Sequence, residues 1–225
     1  MQKPVQKKIT LIFWILASLD ILGIVTELKP LYYIVKPLLI PALILLLFYA
    51  DTEVPGKKLL LTGLFFSWVG DVFLLFESNY SLFFIFGLAS FLTTHIFYIL
   101  YFLRIQSANI SLLKKQPILI ALVFAYGITL VWQLYPWLGD LKLPVIIYAA
   151  VICSMLLCSI HVFLKVNGRS AIFYLLGAAA FVLSDSLLAI NKFYQPFAYA
   201  GIFIMLTYCA AQYFIVSGYI EQEKK

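Results

Sequence analysis

Long apolar runs broken by short polar stretches dominate the chain. Runs of about 20 apolar residues, the length that crosses a bilayer as an α-helix, fall at roughly 9–26, 31–50, 59–77, 81–104, 117–135, 144–164, 171–190 and 196–219. The stretches between them read LKP, DTEVPGKK, ESNY, RIQSANISLLKKQ, PWLGDLK, KVNGRS and NKFYQ. Most carry the Pro, Gly, Asn or charge that ends a helix. The pattern predicts an all-α polytopic membrane protein with eight transmembrane helices in a single integral membrane domain, 1–225. No connection is long enough to house a soluble domain, so any chemistry must sit among the helices.

Composition agrees with the pattern. Apolar residues make up 64% of the 225, charged residues only 12%, and the mean hydropathy is +1.01, far from soluble usage. Cys153, Cys158 and Cys209 all lie inside apolar runs and form neither a CxxC pair nor a disulfide framework. Two histidines and no Cys/His cluster speak against a structural zinc site. The net charge of +6 comes from basic residues in the short connections, so it is no nucleic-acid footprint. Lys3, Lys7 and Lys8 precede the first run, which has no clear small-x-small cleavage site, and it reads as a retained helix.

Basic residues also set an expected orientation. Lys3, Lys7, Lys8, Lys57, Lys58, Arg104, Lys114, Lys115, Lys165, Arg169, Lys224 and Lys225 fall on the N-terminal side; only Lys29, Lys142 and Lys192 fall opposite. Both termini are therefore expected in the cytoplasm, and the protein in a bacterial plasma membrane. Shifting the chain by 114 residues lays the third and fourth runs over the seventh and eighth. Gly63 meets Gly177, Asp71 meets Asp185, Gly87 meets Gly201, and Leu61, Leu74, Tyr80, Phe83, Leu92 and Thr93 also meet identical residues. Composition this skewed would give about four such matches by chance. A four-plus-four parallel repeat is one reading; a composition artefact is the other.

Five ionisable residues lie well inside the runs: Asp20, Lys36, Asp71, His95 and Asp185. Such groups are costly in hydrocarbon and face a bundle interior or a cavity. At 1.5 Å per residue, Asp71 lies about 18 Å along its run, Asp185 about 21 Å, Asp20 about 17 Å, and Lys36 about 8 Å from the opposite side. The lysine and the three aspartates thus share the middle-to-outer bilayer, with His95 nearer the cytoplasmic side.

Each has a plain structural reading. Asp20 suits a helix that frays early. Lys36 could snorkel to the interface. Against this, Pro37 and Pro41 remove two backbone donors beside it, loosening the helix and freeing carbonyls that can line a cavity. His95 could be a satisfied hydrogen-bonder between helices, and His161 sits near a helix end. Asp71 and Asp185 could form a structural ion pair or interhelical hydrogen bond. Each follows a small residue, Gly70 or Ser184, that allows close packing around the carboxylate.

Two buried carboxylates with unlike surroundings divide into a protonated acid and an anion, the arrangement that suits a reaction through an oxocarbenium ion. Intramembrane carboxylates also serve as proton relays in antiporters. The residues alone leave both readings open.

Six segments carry a resemblance: KPLLIPALILLL (36–47), FSWVGDVFLL (66–75), FGLASFLTTHIFYILYF (86–102), YAAVICSML (148–156), GAAAFVLSDSLLAINKF (177–193) and YCAAQYFIVSG (208–218). In this order they resemble the YhhN-like family of eight-span membrane proteins, which includes the lysoplasmalogenases. GDVFLL and SDSLLAINKF are the most specific; the first run adds little.

The resemblance implies hydrolysis of the vinyl ether bond of a lysoplasmalogen to a fatty aldehyde and a glycerophospho-ethanolamine or -choline. It implies a lysophospholipid substrate and no metal or cofactor. Asp71 and Asp185 are the expected catalytic pair, one as acid and the other as anion. Lys36 would anchor the phosphate or hold one aspartate ionised. His95, Tyr148, Ser184, Tyr208 and Gln212 are candidate supporting groups, and Asn191 and Lys192 mark a helix exit where a head group could sit. The competing readings are a proton-coupled transporter or lipid flippase, a non-enzymatic scaffold, and a metal-dependent amidohydrolase, which the scarcity of histidine disfavours.

Overall fold

A computed structural model describes residues 4–50, 54–77 and 80–222. Lys3, Lys224 and Lys225, used in the charge count, lie outside the described residues, as do parts of the DTEVPGKK and ESNY connections. The helices are α1 (Pro4–Val25), α2 (Lys29–Phe48), α3 (Lys57–Leu75), α4 (Ser81–Arg104), the short α5 (Leu112–Lys115), α6 (Ile118–Leu134), α7 (Lys142–Val162), α8 (Gly168–Ala189) and α9 (Ala200–Gln222). All but α5 belong to spans long and apolar enough to cross a membrane, eight in number among the described residues. The chain is an all-helical, multi-pass integral membrane protein.

The boundaries depart from the apolar runs for local reasons. Before α2, Pro30 occupies the first turn, where its missing N–H costs nothing. The connection after α4 holds α5, capped by Ser111, whose hydroxyl accepts from the Leu113 amide. Asn167 caps α8 by accepting from Ser170 N at 2.9 Å, and its amide donates to Glu221 O at 2.8 Å. At its far end α8 runs on through a π turn, Ile190–Tyr194. The seventh span therefore reaches four residues beyond the expected 190.

The helices group into two compact units, one up to Tyr101 and the other from Phe102. In the first, α2 packs against both α1 and α3. In the second, α8 packs closely on α9, and α7 packs on α8 and α6. Of the residues of α6, only Gly127 and Leu134 are buried.

One expectation is corrected. Helix α2 is not broken at its prolines: it runs on through Pro37 and Pro41. Pro41 cannot donate to the carbonyl four residues back, so Pro37 O loses its helical partner. The Trp68 indole N–H of α3 takes that oxygen at 2.9 Å. Of the two carbonyls that the prolines free, at Tyr33 and Pro37, the second is thus satisfied by a neighbouring helix and does not line a cavity.

Candidate active site

In the first unit three ionisable groups lie within two turns of the same end of their helices. Asp20 is five residues before Val25, Lys36 seven after Lys29 and Asp71 four before Leu75. At 1.5 Å per residue these depths are about 8, 10 and 6 Å. All three are buried, at 0, 7 and 2% exposure. Asp20 is not at a frayed end, because α1 continues a full turn beyond it.

The Lys36 ammonium is within coulombic range of both carboxylates. It donates to Tyr32 Oη at 2.7 Å and lies 5.1 Å from that ring's centroid. This is an i, i+4 pair on α2, spacing that sets two side chains on one face. Lys36 therefore does not snorkel to the interface: it turns inward to a tyrosine and two acids. Among the described residues neither carboxylate oxygen of Asp20 has a hydrogen-bond partner. Gly70 lets the Phe91 ring of α4 press against α3 beside Asp71; a Cβ there would lie 2.8 Å from it.

The second unit surrounds Asp185 differently. Its Oδ2 accepts the Tyr148 hydroxyl at 2.6 Å. One residue on, Ser186 accepts from the Tyr126 hydroxyl at 2.8 Å and donates to Val182 O at 2.6 Å. These side chains, from α6, α7 and α8, line part of a partly open cavity of about 50 Å³ between the three helices. The rest of the lining is apolar apart from the Cys153 thiol, and includes Leu130, Leu134, Val145, Ala149 and Ile152. Asp185 is only half-buried and faces this space, whereas Asp71 is sealed.

The other candidates are placed as follows. Ser184 turns away from the cavity and donates to Ile204 O at 3.1 Å, pinning α8 to α9. Gln212 Nε2 donates to Tyr208 Oη at 3.4 Å, and the Tyr208 ring packs edge-on against Phe181. These three build the α8–α9 interface. Asn191 Oδ1 accepts from Phe197 N at 3.3 Å and ties down the connection after the π turn. Lys192 lies within that turn. His95 is fully buried in α4.

Tyr32, Tyr126 and Ser186 were not anticipated. The i, i+4 spacing of Tyr32 and Lys36 was a usable signal. Tyr126 and Ser186 lie 60 residues apart, and nothing in the sequence joins them.

A multi-pass membrane protein with carboxylates held inside its helical spans is thus defined by fold and site together. Residues 31–219 match the YhhN family, and the chain belongs to it. Human lysoplasmalogenase TMEM86B is 33% identical over 159 residues, 70% of this chain and 62% of that protein. The pig TMEM86B lysoplasmalogenase is 32% identical over 183 residues, 78% and 70% of the two chains. Human lysoplasmalogenase TMEM86A is 32% identical over 178 residues, 76% and 68%. The chain thus spans less than two thirds of the length of the human TMEM86B relative. No solved structure matches.

Proposed function

We propose that the protein is a lysoplasmalogenase-like hydrolase that cleaves the vinyl ether bond of a lysophospholipid within the membrane. The observation that carries this reading is Asp185, a carboxyl group on the wall of an otherwise mostly apolar cavity. A vinyl ether needs that combination: an acid to protonate carbon and a surrounding that accepts a hydrocarbon chain.

The chemistry balances with side chains alone. An acid delivers a proton to the β-carbon of R–CH=CH–O–R′ and leaves an oxocarbenium ion. Water adds to the cationic carbon and returns a proton to the carboxylate. The resulting hemiacetal collapses to the aldehyde R–CH₂–CHO and the alcohol R′–OH, here a glycerophospho-ethanolamine or -choline. We assign Asp185 as the proton donor, with Tyr148 fixing its orientation. We assign Asp71 as the ionised carboxylate, for which Lys36 supplies a positive charge in coulombic range. On the charge asymmetry of the sequence, we place both termini in the cytoplasm of a bacterial cell, with the protein in its plasma membrane.

The test is aldehyde release from a lysoplasmalogen by the purified protein in detergent, beside Asp71→Asn and Asp185→Asn variants of unchanged Tm. Turnover by the wild type and its loss in both variants is the expected result. A well-folded wild type that releases no aldehyde would overturn the reading. Loss in Asp185→Asn alone would remove Asp71 from the chemistry.

A further inference from the structure

The reaction fixes where the substrate's hydrocarbon begins. The carbon to be protonated is the second carbon of the alkenyl chain itself, so the chain starts within bonding reach of the acid. If Asp185 is that acid, the chain must run through whatever space adjoins Asp185. That space has two ends. On α7 its lining extends from Val145 to Cys153, eight residues or about 12 Å. Asp185 lies near the middle: its partner Tyr148 is three residues from Val145 and five from Cys153, and on α8 Asp185 is three residues from Val182 and four from Ala189.

The two ends differ. At the Val145 end, Leu134, Leu138 and Val145 form a buried cluster with Phe193 packed on it, and beyond lies Lys142 at the start of α7. The other end reaches Cys153, near the midpoint of α7 and hence of the span. There the floor is closed by a tight approach of α6, since a Cβ on Gly127 would lie 2.7 Å from Cys153 Sγ. The polar groups Asp185, Tyr148, Tyr126 and Ser186 bond to one another in pairs. An apolar segment entering beside them therefore leaves no pair broken.

We propose that this cavity is the binding site for the root of the alkenyl chain, which runs from Asp185 toward Cys153, with the head group on the Lys142 side. The inference rests on the assignment of Asp185 as proton donor. The direction is the one a lipid already has in the bilayer, head at the surface and tail toward the midplane. At about 50 Å³, less than two of the roughly 30 Å³ shares that liquid waters occupy, the space takes the vinyl group and little more. The rest of the chain leaves past α6, whose residues apart from Gly127 and Leu134 are not buried. Ala149, small and central in the lining, sets the width.

The probe is a saturated 1-O-alkyl lysophosphoethanolamine, which this chemistry cannot hydrolyse, carrying a diazirine on the third or fourth chain carbon. Photolysis is expected to label residues 126–134 and 145–153, and a diazirine at the chain terminus to label them at least tenfold less. Ala149→Phe is expected to cut the root-probe labelling tenfold and to raise KM for lysoplasmalogen about tenfold, with a smaller change in kcat; Ala149→Leu is the milder variant should the larger one misfold. Labelling confined to other segments, or a folded Ala149 variant with unchanged labelling and KM, would overturn the proposal. Labelled cavity residues without aldehyde release would sink the hydrolase and keep the chain site. Aldehyde release with label elsewhere would do the reverse.

Discussion

The two halves carry an aspartate at positions 114 residues apart and treat it in opposite ways. Asp71 is sealed at 2% exposure among charges, with Lys36 in range and Asp20 a second anion on the same lysine. Asp185 is half-buried, bonded to a neutral hydroxyl, and faces a mostly apolar cavity. Identical side chains in unlike environments are how one protein obtains an acid and an anion from two carboxyl groups. On the reaction proposed above, the second half is the one that would meet the substrate's hydrocarbon. A cavity lined by Leu and Val accepts a chain; a cluster of one ammonium and two carboxylates does not.

The largest effect should come from Asp185→Asn. An amide cannot deliver a proton to carbon, and loss of a general acid costs a factor of about 10²–10⁴ in turnover. Single-turnover aldehyde release at matched protein concentration measures it. Less than a tenfold loss would move the acid out of the second half and erase the contrast.

Lys36→Met tests the first half through stability. It removes the cation that Asp71 and Asp20 share. Breaking a buried charge set by deleting one partner costs about 3–5 kcal/mol, so the detergent Tm should fall sharply. Adding Asp20→Asn should recover part of that loss, because one unbalanced anion is gone. If Lys36→Met leaves Tm unchanged, the lysine is not the counter-charge of the cluster.

Tyr148→Phe is a smaller change in the second half. It deletes the 2.6 Å hydrogen bond to Asp185 and little else. Hydrogen bonds between neutral groups, as with Asp185 in its proton-donating form, contribute about 0.5–1.5 kcal/mol. With Asp185 still present but less well aimed, kcat should drop about tenfold and KM change little. A rise in KM with constant kcat would make Tyr148 a binding group instead.

The sequence made the skeleton of this comparison legible and hid its details. Eight spans follow from apolar run lengths, and Asp71, Asp185 and Lys36 stand out because a charge in an apolar run has few inexpensive settings. Helix rotation was hidden, since helices apolar on all sides carry no stripe to show which face is buried. Hence Ser184, Tyr208 and Gln212 were grouped with Asp185, although Ser184 is spent on Ile204 O and Gln212 on the Tyr208 hydroxyl, in or beside the contact of α8 with α9. Partners from distant helices were equally invisible: Tyr126 to Ser186, and Trp68 to the carbonyl that Pro41 frees. Asp20 read as a polar residue in a helix that frays early, although α1 runs on to Val25. Its burial depends on neighbours that its own segment does not display.

The smallest expected effect compares the two glycines that the 114-residue shift aligns. Each lies where the next long helix comes close. A Cβ on Gly63 would meet the Tyr98 ring at 2.5 Å, and one on Gly177 would meet Ile215 Cγ1 at 2.7 Å with the Ala211 carbonyl and Ile215 amide at 3.0 Å. Alanine gains up to about 1 kcal/mol of helix propensity over glycine, so the sign depends on what yields. At Gly63 the obstacle is a side chain, which can turn with a local adjustment of packing. At Gly177 it is also backbone, and relief requires α9 to move away from α8 along their shared face. Overpacking of this kind costs about 1–3 kcal/mol. Gly177→Ala should therefore lower the detergent Tm more than Gly63→Ala, whose loss the propensity gain partly offsets. The reverse order would mean that the buried Tyr98 ring is the more rigid neighbour, and that the α8–α9 contact yields more easily than its close backbone approach implies.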